Sequence, residues 1–222
     1  MYISKLLVIS TQILLIVLYS VFLENCFEKD KYYPTINTQI SELKQEILDV
    51  RVLCLLGFGL QLSLYKNNLF SSIIYPIICY VLSLQFFTVF NGLFFKILNG
   101  SGDKICFNLY RLLDSEYACL ALLSSLYGVY GKISHYQLYL YSILFILFYS
   151  LNANILGLYK IVDNGYLLQI WLFASVYGYV FNYMINKKHS LNKENNKLKY
   201  KEITSITTYL NLIGTIIIYA YF

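Results

Sequence analysis

The stretch Ser71–Lys96, SSIIYPIICYVLSLQFFTVFNGLFFK, runs for about 26 residues and meets its first charge only at Lys96. A hydrocarbon core about 30 Å thick takes roughly 20 predominantly apolar residues as a helix. Apolar and polar positions do not alternate here as they would in a barrel strand, so the segment satisfies its backbone polar groups internally, as a transmembrane helix does.

Similar runs recur on both sides of it, separated by short polar clusters. Candidate spans lie at about 3–23, 50–65, 71–96, 106–130, 134–159, 165–186 and 203–222, with ends uncertain by a few residues. The second is the shortest and is entered past Asp49 and Arg51. Composition agrees, because 222 residues that are 58% hydrophobic and 13% charged, with mean hydropathy +0.57, fall outside the range of soluble domains. The reading is an all-α membrane protein of about seven transmembrane helices. Its parts are an N-terminal helix over 1–23, an extracytoplasmic loop over 24–49 and a membrane domain over 50–222.

Basic residues near span ends are held in the cytoplasm. Lys187, Lys188, Lys193, Lys197, Lys199 and Lys201 cluster before the last span, whereas the segment from Glu24 to Asp49 is mixed and mostly acidic. Placing the cluster inside puts the N-terminus inside, the 24–49 loop outside, and Lys66 and Lys132 inside. The net charge of +5 then reads as topology and attraction to anionic lipid, with no call for nucleic acid. Lys5 before an apolar stretch also suits a signal peptide, but no small-x-small cleavage site follows, and a retained helix is favoured.

Little supports catalysis, a metal or a cofactor. His135 and His189 both fall in polar connections, and no Gly-rich phosphate loop or Ser/His/Asp grouping is present. The five cysteines show no paired spacing, and those inside spans suit packing as small hydrophobes; Cys26 and Cys106, both on the outer side, leave a disulfide open. Asn99-Gly100-Ser101 is a glycosylation sequon close to the membrane.

Acidic groups at membrane depth are costly and need an account. Asp114 and Glu116 enter the fourth span and form a possible secondary acidic site; the plainer reading pairs Arg111 with Asp114 at i, i+3 near the outer interface. Asp163 opens the sixth span, where it either caps exposed backbone N–H groups or attracts a cation at the mouth of a polar pathway. Small residues at Gly57, Gly59, Gly128, Gly131, Ala174, Ser175 and Gly178 would let helices approach closely. The 24 tyrosines suit interfacial positions.

The order of residues resembles the Rhesus (Rh) glycoprotein branch of the ammonium transporter family. Asp49-Val50-Arg51-Val52, Gly57-Phe58-Gly59, Phe70-Ser71-Ser72, Gln85 and Gly92 are similar to its DVHV, GFG, FSS and QW…QG elements. Asp114-Ser115-Glu116-Tyr117 resembles NADF, and Gly128, Gly131-Lys132, Ser134 and Gln137 resemble FGAVLGK and SPxQ. Asn152, Asp163, Gly165, Phe173, Tyr177 and Gly178 resemble its NE, DAGG and HxFGAYFGL segments, and Leu212-Ile213-Gly214-Thr215 its MIGT.

The resemblance covers the family's first half. It implies ammonium or ammonia as the transported species, trimeric or other homo- or hetero-oligomeric assembly, a plasma-membrane location and an extra N-terminal helix. In the family two five-helix halves of inverted topology face each other across the pore. By resemblance the substrate pathway falls to Asp163 at the outer vestibule, Tyr117 in place of the gating Phe, and Trp171 in place of the first pore histidine. The glutamate after the family's Asn becomes Ala153. Neutral imidazole offers a donor and an acceptor to a desolvated guest, whereas Trp offers one N–H and more bulk, so Trp171 would tend to close the pore. The expectation is an Rh-type transporter-like protein, half-length or incomplete and conducting or not; a non-transporting membrane interaction subunit is the alternative.

Overall fold

The computed structural model describes residues 2–25, 36–62, 69–99, 105–161, 163, 167–191 and 205–221. Cys26, Lys66, Gly100-Ser101, Asn164-Gly165 and the lysines at 193–201, all singled out in the sequence, lie outside the described residues.

The chain is an all-α membrane protein. Its helices are α1 (Tyr2–Phe22), α2 (Ile36–Val52), a short α3 (Gly59–Gln61), α4 (Leu69–Asn99), α5 (Leu109–Leu126), α6 (His135–Leu158), α7 (Phe173–Leu191) and α8 (Ser205–Tyr221). A π-helical segment, Leu53–Phe58, joins α2 to α3, and a second, Leu167–Leu172, leads into α7. The apolar stretches Ile73–Leu98, of 26 residues, and Tyr136–Leu158, of 23, are long enough to cross a bilayer; at 1.5 Å per residue they span roughly 39 and 34 Å. Ile9–Phe22 and Ile206–Tyr221 are shorter apolar helices.

Two helix starts are fixed by side chains. Asn108 accepts from the Arg111 N–H at 3.1 Å ahead of α5. Ser134 and Gln137 form a reciprocal capping box ahead of α6, which gives a local reason for that pair of residues at that spacing. The segment 24–49, read as a loop, is helical from Ile36 onward, and α2 passes Asp49 without a break.

The helix contacts fix relative direction. Gln12 meets Gln85 and Tyr19 meets Thr88, so α1 and α4 run parallel. Phe87 packs on Tyr149 and Asn91 bonds Asn154, so α6 joins them in the same sense. Arg51 meets Glu116 and Gln61 meets Tyr127, so the α2–α3 unit runs parallel to α5; Gly178 beside Ser125 and Asn182 beside Lys132 add α7 to that group. Helix α8 opposes the α2–α3 unit, since Gly57 faces Ile218 while Gln61 faces Gly214. Alternate crossings of a membrane require this pattern of directions.

Close approach occurs where the small residues fall. A Cβ on Gly178 would stand 2.8 Å from the Ser125 carbonyl oxygen, and one on Gly214 would stand 2.7 Å from that of Gly57. Helix α5 is the centre of the bundle, with Ala118, Cys119, Ala121, Leu122 and Leu126 wholly buried. The outward faces of α1, α7 and α8 stay apolar, as at Ile13, Ile16, Val176, Val180, Ile213 and Ile216, which suits a lipid solvent. One addition to an all-helical reading is a parallel pair of three-residue strands, β1 (Leu23–Asn25) and β2 (Ile105–Phe107), which ties the end of α1 to the entry of α5 with Leu23 opposite Ile105.

Candidate functional site

Among the described residues the charged side chain fully withdrawn from solvent is Glu116, on α5. Its side chain has no solvent exposure, and its Oε1 accepts from Arg51 Nη2 at 2.7 Å and Nε at 3.0 Å. Its Oε2 accepts from the Tyr80 hydroxyl at 2.6 Å. Both carboxylate oxygens are therefore engaged, by a cation from α2 and a hydroxyl from α4. Beneath them Ser83 Oγ donates to Cys119 Sγ at 2.8 Å, and Cys54 is buried nearby. A carboxylate at this depth is tolerable because it is paired and hydrogen-bonded.

Arg111 and Asp114, the pair of the plainer reading, interact electrostatically without a contact ion pair, and the Arg111 guanidinium lies over the Phe95 ring, 5.7 Å from its centroid. Asp114 is half-buried, and of the two acids Glu116 is the one withdrawn from solvent. Sequence reasoning missed Arg51 as its partner. The available signal was that opposite charges enter two spans at their outer ends, where each needs compensation.

Tyr117, the next residue on α5, donates its hydroxyl to Glu46 Oε1 on α2. Asp163 accepts from Leu168 N–H at 3.1 Å through Oδ1 and from Gln169 N–H at 2.9 Å through Oδ2. The capping alternative is thus realised in the structure, at the start of the π-helical segment. Trp171 lies in that same segment, half-buried against the core. Asp163 and Trp171 share one local element, which packs on α5, the helix that carries Tyr117.

On α7, which follows the segment that holds Trp171, the packing is aromatic. Phe173 and Tyr177 on α7 stack on Phe145 and Tyr149 of α6, with ring centroids 5.1–5.7 Å apart for the edge-on pairs. The Tyr177 hydroxyl is buried without a hydrogen-bond partner among the described residues. The described residues hold no cluster of His, Cys, Asp or Glu suited to a metal ion.

A bundle of apolar helices with polar groups paired between them defines a helical membrane protein. Its relatives are Rh-type ammonium transporters. The chain is 26% identical to mouse ammonium transporter Rh type A over 190 residues, which is 78% of this chain and 42% of the relative. It is 22% identical to Xenopus laevis ammonium transporter Rh type C over 221 residues (95% and 45%), and 25% identical to zebrafish ammonium transporter Rh type B over 224 residues (97% and 47%). No family model matches. The chain spans about half the length of the curated relatives it matches. The resemblance read from the motifs holds along nearly the whole chain.

Proposed function

We propose that the chain is an Rh-type ammonium/ammonia transporter-like protein, corresponding to the first part of such a transporter. The observation that carries the reading is similarity to Rh-type ammonium transporters of three types along nearly the whole chain. The relative helix directions are compatible with alternating crossings of a membrane, and in this reading the N-terminus lies in the cytoplasm.

In this reading NH4+ is recruited near Asp163 and passes the aromatic at Tyr117, and a neutral species crosses the apolar core, where a bare cation would cost several kcal/mol, on the order of 3 or more. In this reading the opposing wall of the route comes from a second, inverted half, and the protein lies in the plasma membrane. Trp171, in the place of an imidazole, narrows the route and makes the chain a poor conductor as it stands.

A second reading, a non-transporting membrane interaction subunit, is favoured by the same Trp171. Methylammonium uptake into yeast lacking its own ammonium transporters separates the two, with surface expression confirmed. Uptake by the native chain, or by Trp171→His, that is lost on adding Asp163→Ala supports transport. Absence of uptake from both at the surface overturns autonomous transport and favours the interaction subunit or an incomplete gene product.

A further inference from the structure

Tyr117 differs from a phenylalanine by one hydroxyl, and the structure uses that hydroxyl to donate to Glu46 on α2. One residue earlier on α5, Glu116 is held by Arg51 of the same α2. Two neighbouring side chains on α5 are thus tied to two residues on one helix. The ties differ in kind. The Arg51–Glu116 pair is two-pronged, its carboxylate is fully buried and Tyr80 braces it from α4, so it sets the register of α2 against α5. The Glu46 carboxylate is exposed, so the tie to Tyr117 sits where water reaches and is the easier one to break.

We propose that Glu46 is a positioning residue for Tyr117: it holds the ring in one orientation through the hydroxyl, in a register fixed by Arg51 and Glu116. The part of the proposal that concerns permeation rests on the reading of Tyr117 as the pathway aromatic. Fixing the ring restricts its swing, and a species passing Tyr117 must either fit the fixed ring or wait for the tie to break. The tie needs an acceptor oxygen at position 46 and does not need its charge, which separates positioning from electrostatic attraction of a cation.

The test uses the full chain with Glu46→Ala, Glu46→Gln, Tyr117→Phe and the Glu46→Ala/Tyr117→Phe double variant. Thermal midpoint in detergent and methylammonium uptake per molecule at the surface are read for each, the uptake in native and Trp171→His backgrounds. Each of Glu46→Ala and Tyr117→Phe is expected to lower the midpoint by about 2–4 °C, the shift that about 1 kcal/mol gives in a chain of this size. The double variant should fall no further than either, and Glu46→Gln, which keeps the acceptor, should stay near native. Where uptake is measurable, Glu46→Ala and Tyr117→Phe should change it by the same factor, with no further change in the double variant.

Additive midpoints, or Glu46→Gln behaving as Glu46→Ala, overturn the positioning role. Equal midpoints with uptake changes that add across the pair also overturn it, as does a fall in midpoint with uptake per molecule unchanged, which marks a purely structural contact. Coupled midpoints with no uptake in any background uphold the tie and count against the transport reading instead, so the two failures are distinct.

Discussion

Arg51 and Glu116 lie 65 positions apart and meet through two hydrogen bonds to a single carboxylate oxygen, at 2.7 and 3.0 Å. The Glu116 side chain is fully buried and that of Arg51 is 40% exposed, so the pair spans the boundary between the bundle interior and the aqueous side of α2. A lone carboxylate could not remain ionised at that depth at acceptable cost, and a lone guanidinium could move back toward water on its long stem. The two partners are therefore not equivalent.

Removing Arg51 should cost more than removing the charge of Glu116. Arg51→Met strands a buried carboxylate and is expected to destabilise by about 3 kcal/mol, toward the lower end of the range for broken buried pairs because one partner is partly solvated. Glu116→Gln leaves an Arg that can turn outward and should cost less, and the double variant should be milder than Arg51→Met. Pulsed alkylation of the buried thiols reads the same event locally: Cys54 and Cys119, beside the pair, should become reactive in Arg51→Met before Cys79 does. Equal exposure of all three thiols would mean global unfolding, and no exposure would mean that the pair does not hold α2 to α5.

The seam between α5 and α7 should not accept a side chain. A Cβ at Gly178 would stand 2.8 Å from the Ser125 carbonyl oxygen, and one at Gly128 would stand 3.0 Å from that of Gly178, so backbone meets backbone with no flexible atom to give way. Gly178→Val is expected to lower stability by about 2–3 kcal/mol through overpacking. Gly157 has nothing within 4 Å, and Gly157→Ala should be neutral or stabilising by up to about 1 kcal/mol. Thermal midpoints of the two variants side by side check the contrast.

Polar side chains inside the bundle act as links between helices. Asn154 Nδ2 donates to Asn91 Oδ1 at 2.5 Å and to the Ser150 carbonyl at 2.8 Å, and Gln12 Nε2 donates to Gln85 Oε1 at 3.0 Å. Asn154→Leu and Gln12→Leu should each cost about 0.6–1.5 kcal/mol, the range for interhelical hydrogen bonds in membranes. Their effects should add in the double variant, because the links join different helix pairs. Strong coupling between them, measured by thermal midpoint, would show that α1 and α6 depend on one another, through α4 or through the direct Thr11–Tyr139 hydrogen bond.

The helices of the bundle were legible because apolar runs and membrane thickness leave few alternatives, and the small residues at Gly57, Gly128 and Gly178 marked the close approaches correctly. The start of α2 at Ile36 was not legible, since a polar helix outside the apolar run gives no hydropathy signal. The π-helical segments were invisible for a related reason: π and α turns draw on the same residues and differ in a hydrogen-bonding choice set by packing. Capping by Asp163 could be read locally, because the groups it satisfies lie five and six residues ahead. The partner of Glu116 could not, because compensation across 65 positions depends on which helices become neighbours.

The central claim, that Trp171 stands on an ammonia route begun by Asp163 and Tyr117, is tested most directly in proteoliposomes. Purified native chain and Trp171→His, each reconstituted at matched density, are mixed rapidly with an ammonium gradient while internal alkalinisation is followed. The account predicts that the histidine variant alkalinises the lumen several-fold faster than protein-free vesicles while the native chain stays close to them. Equal rates for native, variant and protein-free vesicles, with insertion verified, would contradict it.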